Sequence, residues 1–322
     1  MALSEAERST PVGALWALVA VVCFSTNDVL VKFLSGDYPL YQLIFFRTVI
    51  GLTFIMAVLV PLTGGLVTLR TQRIWVHLAR GACVVFANFC FFLGLAAMEL
   101  AEAVAIFFIS PLIISVFSVI FLGETVGPRR WAAILMGLVG VLIVLRPGTE
   151  AFQMAALLPL AAAFGYATLH ILTRKIGGTE NATAMAFYIQ FTFLMFSGTA
   201  GAALGNGQFE NYDHPSLEFL FRAWVWPGGF DMAMVVLLGI TSSLGGFTIS
   251  QAYRRSEAAF VAPFEYAAMP LSVIWGLTIF GEWPDAFAWL GIALIMVSGL
   301  VLIWREALSR RRNPAATQPK RL

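Results

Sequence analysis

The chain has 322 residues, of which 59% are hydrophobic and 12% charged, and its formal net charge is +2. Soluble domains carry roughly 25% charged residues, so a water-soluble fold is excluded and the lipid bilayer is the first expected partner. The small net charge gives no reason to expect nucleic acid as a partner, and the three cysteines, Cys23, Cys83 and Cys90, supply neither a disulfide framework nor a metal set.

Apolar runs of about 20 residues, the length that crosses a hydrocarbon core as a helix, recur along the chain. In order they are Gly13–Leu34, Tyr41–Val60, Trp75–Ala97, Ala103–Leu122, Trp131–Leu145, Gln153–Leu172, Ala182–Leu204, Met232–Gln251, Ala258–Phe280 and Phe287–Ile303, the fifth and tenth being short. Pro39, Pro61 with Gly64-Gly65, Pro128, Pro147-Gly148, Gly177-Gly178 and Pro284 punctuate the breaks. The one long connection, Gly205 to Asp231, holds Trp224 and Trp226, which are expected to anchor at the membrane interface. The start, MALSEAERSTPVG, lacks a short basic region followed at once by an apolar stretch, so no cleaved signal peptide is expected.

Basic residues orient these spans. Arg8, Arg70, Arg73, Arg129, Arg130, Arg174, Lys175, Arg254, Arg255 and the tail from Arg305 onward fall on one side. The other side holds Lys32, Arg146 and Arg222 beside Asp37, Glu99, Glu210, Asp213 and Asp285. The positive-inside rule then places both termini in the cytoplasm.

Two stretches repeat. FLGETVGPRRWAAILMGLVGVLIV from Phe121 and FGEWPDAFAWLGIALIMVSGLVL from Phe280 each place a Gly-Glu pair seven residues before a Trp. The copies lie five spans apart, an odd number, so they point in opposite directions across the membrane. The expected fold is an all-α polytopic membrane protein, with ten transmembrane helices as two inverted five-helix repeats. Its parts are a cytoplasmic tail (1–12), a first repeat (13–148), a second repeat (149–305) and a basic cytoplasmic tail (306–322). Glu124 and Glu282 sit at helix ends on opposite faces, which fits hinge or loop-capping roles rather than joint action on one solute.

Ionisable and amide groups at depth are the site candidates. Asp28 and Arg47 share a depth in the first hairpin, as an ion pair locking that hairpin or as a solute site, and Lys32 follows Asp28 on the same helix face. His77 and Arg80 lie near a cytoplasmic helix end, within snorkelling reach. Asn88 and Asn27 are interior amides suited to interhelical bonds or to solute contact. Glu265 stands between Pro263 and Pro270 in AAFVAPFEYAAMPL, where a carboxylate suits proton coupling, a cationic solute group, or a packing bond to Tyr266. Pro270 matches Pro111 of the first half, and both leave backbone carbonyls tolerable only against protein or a wet cavity. Tyr166 shares a face with His170, and Gln190 with Phe187, as aromatic and polar lining for a planar or amino-acid-like solute. Gly239, Ser242, Ser243, Gly246 and Ser250 form a small-residue face fitted to close helix contact or to a site. No HExxH, phosphate-binding glycine loop or serine-nucleophile motif is present, so no catalytic residue, cofactor or enzyme activity is expected.

SPLIISVFSVIFLGETVGPRRWAAILMGLVGVLIVLRPG, EAAFVAPFEYAAMPLSVIWGLTIFGEWPDAFAWLGIALIMVSG and the opening STNDVLVKFLSGDYPLYQLIFFR resemble the drug/metabolite transporter superfamily, EamA type. The resemblance spans roughly Gly13 to Arg305. It implies ten helices in two inverted halves, a bacterial inner-membrane location, and transport of small organic solutes through a cavity lined mainly by helices other than the fifth and tenth. Members with a similar first hairpin import S-adenosylmethionine or riboflavin; others export amino acids or drugs. The expected function is therefore secondary transport of a small polar or zwitterionic metabolite by alternating access, with export on the same fold or passive facilitation as the alternatives. A homodimer is left open.

Overall fold

The computed structural model describes residues 5–123, 127–147, 153–176, 182–209, 213–255 and 264–312. Every regular element among them is helical. With no water in a bilayer core, each backbone N–H and C=O must be satisfied within its own segment, and a helix does this locally. In chain order the helices are α1 (Glu5–Leu34), α2 (Leu40–Phe54), α3 (Ile74–Leu95), α4 (Leu100–Phe107), α5 (Ser110–Leu122) and α6 (Pro128–Leu145). Then follow α7 (Leu157–Ile176), α8 (Ala182–Leu204), α9 (Pro215–Phe221), α10 (Gly229–Arg255), α11 (Ala268–Trp275) and α12 (Ala286–Arg312). Among the described residues, seven segments are long and apolar enough to cross a membrane: Gly13–Leu34, Leu40–Leu62, Ile74–Leu95, Leu100–Phe121, Met154–Thr173, Thr183–Leu204 and Gly229–Ile249. The expected fifth, ninth and tenth spans are the shorter apolar helices Trp131–Leu145, Ala268–Phe280 and Ala286–Val301.

Two helices are interrupted near mid-bundle. Between α4 and α5 the chain turns at Phe108–Ile109, and Pro111, which has no N–H to donate, occupies the second position of the new helix. A matching turn at Tyr266–Ala267 precedes α11 and Pro270. The rings of Phe108 and Tyr266 meet across the two turns at 5.3 Å between centroids. Beyond Trp275, α11 continues as a wide turn, Gly276–Phe280, which closes through the Glu282 N–H donating to the Gly276 carbonyl at 2.9 Å.

The main helix pairings are α1 with α10, α3 with α7, α6 with α12, α2 with α8 and α10, α3 with α8, and the broken helices α4/α5 with α7 and α11. Small residues permit the closest approaches, as is usual where apolar burial gives no driving force between helices. A Cβ on Gly291 of α12 would lie 2.7 Å from the Gly140 carbonyl oxygen of α6, so these backbones touch. The Tyr266 hydroxyl occupies the space a Cβ on Gly299 would need.

One end of the bundle is stitched shut across the chain. Tyr41 donates to the Arg222 carbonyl at 2.7 Å, Arg222 to the Ser35 carbonyl at 2.8 Å, and Ser216 to the Leu93 carbonyl at 2.7 Å. Tyr38 donates to Asp231 at 2.6 Å. Residues 213–228 of the long connection therefore lie over the ends of α1, α2 and α3. Trp224 turns into this seam against Tyr41, Phe45 and Phe46, whereas Trp226 stays 71% exposed.

Candidate functional site

Three helices bring a polar layer to one depth. Asn27 lies seven residues before the end of α1, Arg47 seven residues into α2, and Asn88 seven residues before the end of α3. At 1.5 Å per residue each is about 10 Å inside the same end of the bundle. Arg47, only 4% exposed, donates to Asn27 Oδ1 at 3.4 Å and to Asn88 Oδ1 at 3.2 Å. Its guanidinium carbon lies 5.7 Å from the Phe92 ring centre and 5.1 Å from that of Phe193. Asn27 in turn donates to the Leu238 carbonyl of α10 at 3.1 Å, which fixes its amide with the oxygen towards Arg47.

Asp28 attracts Arg47 electrostatically but makes no ion pair with it. The direct ion pair, one of the two readings their shared depth allowed, is absent, and two amide contacts hold Arg47 instead. One residue along a helix is about 100° around it, so the turn that aims Asn27 at Arg47 aims Asp28 elsewhere. Gln190 packs beside Gly51 of α2 and Ser243 of α10: a Cβ on Gly51 would stand 2.7 Å from Gln190 Nε2 and 2.9 Å from Ser243 Oγ. The small-residue face of α10 thus contributes to close helix contact.

Deeper in the bundle an aromatic group joins the two broken helices. Tyr166 on α7 meets His170 at 4.5 Å and Phe107 of α4 at 5.3 Å. Glu265, half-buried just before the Tyr266–Ala267 turn, acts electrostatically on both Tyr166 and Tyr266. Below it, Arg80 donates to Thr173 at 2.9 Å, and His77 stacks near Tyr188 at 4.8 Å. Pro111 and Pro270 mark the breaks themselves, whereas Glu124 and Pro263 lie outside the described residues.

The closed end holds a second charged group that sequence reasoning did not assemble. Lys32 does not turn to Asp28; it donates to Glu282 at 2.5 Å and to the Met98 carbonyl at 2.7 Å. Glu282 also accepts the Leu100 N–H at 2.9 Å, capping α4 from the far half of the chain. Beside it a cavity of about 210 Å³ is lined by Glu99, Glu102, Arg146, Gln153 and Asp285 among others. Arg146 and Asp285 form an ion pair, which holds the Asp285 carboxyl below the usual range, while burial pushes Glu99 above it. The opposite signs of these loops were legible in the sequence; their partners, 250 residues apart for Lys32 and Glu282, were not.

A bundle of apolar helices around a buried polar layer, with helices broken at mid-depth, is the general build of a multi-pass solute carrier. The family model for EamA-like transporters matches residues 11–146. A riboflavin transporter of Rhizobium johnstonii is 31% identical, with 94% of each chain covered. An S-adenosylmethionine uptake transporter of Rickettsia felis is 29% identical over 97% of this chain and 99% of its own. A pseudopaline exporter of Pseudomonas aeruginosa is 26% identical over 90% of this chain and 95% of its own. A solved crystal structure superposes with a TM-score of 0.64 at 23% identity, covering 94% of this chain and 99% of that one, which establishes likeness of fold. The chain belongs to the EamA-like transporter family, within the drug/metabolite transporter superfamily.

Proposed function

We propose that this protein is a secondary transporter that moves a small polar organic metabolite across a bacterial inner membrane by alternating access. The observation that carries this reading is the Arg47 layer. It is buried, polar and built where helices of the first half (α1, α2, α3) meet one of the second (α10). Buried ionisable groups in a membrane protein are costly and mark solute or ion pathways by default. The relatives named for riboflavin and S-adenosylmethionine support a metabolite of that size.

The same reading takes the chain as two inverted repeats, 13–148 and 149–305, with ten crossings and both termini cytoplasmic. Support comes from the pairings. With α4/α5 as the fourth helix, the short α9 left aside and α11 as the ninth, moving every helix five places on turns α1·α10 into α7·α3. The same move turns α2·α10 into α8·α3, and α5·α7 into α11·α1, while α6·α12 and α2·α8 map onto themselves. A twofold axis in the membrane plane gives that exchange. A rocking motion would then open the end tied by Lys32 and Glu282 as the other closes.

Purified protein in liposomes under an imposed proton gradient tests this with labelled riboflavin and S-adenosylmethionine. Accumulation above the outside concentration is expected. Equilibration without accumulation would leave a passive facilitator, and accumulation only under the opposite gradient would favour export, the direction named for the Pseudomonas relative. Within that assay Glu265→Gln is expected to cut uptake about tenfold or more and to flatten its pH profile, as removal of a coupling carboxylate does. Unchanged uptake and an unchanged profile would return Glu265 to a packing role.

A further inference from the structure

We infer that the connection between α2 and α3 is a docking site for an anionic phospholipid of the surrounding membrane. Arg70 and Arg73 take its headgroup phosphate, and Leu62, Leu66, Val67 and Trp75 lie along its acyl chains.

The segment is a built turn. Gly64 and Gly65, with φ of 118° and 79°, adopt a conformation that L side chains rarely tolerate, and the Gly65 N–H closes the preceding helix on the Val60 carbonyl at 2.9 Å. They reverse the chain into a single 3-10 turn, Leu66–Leu69, in which the Thr68 hydroxyl donates to the Gly65 carbonyl at 2.8 Å. Tyr188 of α8 donates to the Leu69 carbonyl at 3.1 Å, and Leu69 packs against Ile55, Leu59 and Val60. Those three residues belong to the apolar span Leu40–Leu62. The turn therefore folds back to the depth of that span's end instead of rising from it into water.

Held at that depth, the segment turns apolar side chains outward. Leu62, Leu66, Val67 and Trp75 are between 67% and 80% exposed, which suits burial among acyl chains and not contact with water. The charge beside them is of one sign. Arg70 and Arg73 are exposed, and neither forms an ion pair among the described residues. No Asp or Glu occurs between Asp37 and Glu99, nor in α8, against which the turn packs. A soluble anion would answer the arginines and leave the apolar patch uncovered, whereas a neutral lipid would do the reverse. A zwitterionic phospholipid brings its own cation to its phosphate. An anionic phospholipid satisfies both parts of the surface, and its phosphate matches the planar donor fork of arginine. Each arginine beside an anionic membrane surface is worth about fivefold in binding, and two together about thirtyfold.

A bimane fluorophore on Val67→Cys reads the site locally, in full-length protein without Cys23, Cys83 and Cys90 held in nanodiscs. Nitroxide-labelled phosphatidylglycerol or phosphatidylcholine serves as the quencher, at rising mole fraction. Half-maximal quenching is expected at an about thirtyfold lower fraction of phosphatidylglycerol. Arg70→Gln and Arg73→Gln should each narrow that gap about fivefold. Both together should close it, and Arg70→Lys with Arg73→Lys should keep most of it. Raised salt should shrink the preference, because exposed charges are screened. If the double glutamine variant does not fold, the single variants and the salt series decide. Equal quenching by the two lipids, or a preference that survives the double substitution, overturns the inference. Quenching by neither lipid also overturns it, since the turn would then stand in water. Loss of the preference on adding glycerol phosphate would make this a site for a soluble phosphate and overturn it too. None of these outcomes touches the transport reading.

Discussion

Lys32 is the residue whose placement changes most between sequence and structure. Its spacing on α1 sets it over Asp28, but its ammonium group reaches the helix end and the Glu282 carboxylate, with Phe280 5.0 Å beneath it. The pair is mostly buried, with side chains 10% and 23% exposed, so removing one partner strands the other. Lys32→Met should therefore cost about 3 kcal/mol in thermal unfolding in detergent, and Lys32→Met with Glu282→Met together should cost less than either alone. A loss under about 0.5 kcal/mol for the single change would put this pair with ordinary surface ion pairs and undo its role as a tie. Arg146 and Asp285 make the contrasting case at the same end. Arg146 has a φ of 47°, which L residues rarely adopt, and it is held by Asp285 and by the Phe287 ring at 5.3 Å. Asp285 is 51% exposed, so its pair is worth under about 1 kcal/mol. Its folded pKa lies below its unfolded value of roughly 4. That contribution is therefore fully present above about pH 4 and disappears as pH falls through the lower folded value. Unfolding temperatures of the unaltered protein and Asp285→Asn should differ slightly at pH 6 and converge as the pH falls below the lowered folded value; a difference that grows towards acid would contradict the pairing.

Among the elements, helix existence was legible and helix interruption half so. Runs such as that in α10 announce themselves by length and apolarity, and Pro111 and Pro270 mark where two helices break. What the sequence does not carry is the partner of each small residue. Gly140 and Gly291 sit in apolar runs where glycine costs helix stability, with no local signal that one meets the other. The structure supplies the reason, because a Cβ on Gly291 would meet Val144 Cγ2 at 2.4 Å and the Gly140 carbonyl oxygen at 2.7 Å. The second contact is with backbone, which cannot swing aside as a side chain does. Gly291→Ala should destabilise the protein by about 1–3 kcal/mol although alanine is the better helix former. A variant of equal or greater thermal stability would show that α6 and α12 separate at little cost. The polar layer follows the same pattern: Asp28, Arg47 and Asn88 stood out in an apolar setting, but the choice of Asn27 over Asp28 as the contact of Arg47 is set by a single helical step.

For the whole molecule, the decisive question is the sidedness of the tied end. Residues 35–39, 96–99, 146–147, 153, 205–209, 213–228 and 281–285 of the connections are joined to one another by Lys32, Arg146, Arg222, Tyr38 and Tyr41 or lie around the charged cavity. On the proposed reading of ten passes they are alternate connections, and the cationic loops between them contain Arg70 and Arg73. On that reading the positive-inside rule predicts that the tied end is the outer one. Gly36 has open space around its Cα and Arg70 is exposed, so a cysteine at either position tolerates a label. In a background without Cys23, Cys83 and Cys90, Gly36→Cys should react with a membrane-impermeant maleimide applied to spheroplasts, and Arg70→Cys only after the membrane is opened. The reverse pattern would invert the protein without altering its fold. Labelling of both from outside would break the alternation, and with it the inverted-repeat reading on which alternating access depends.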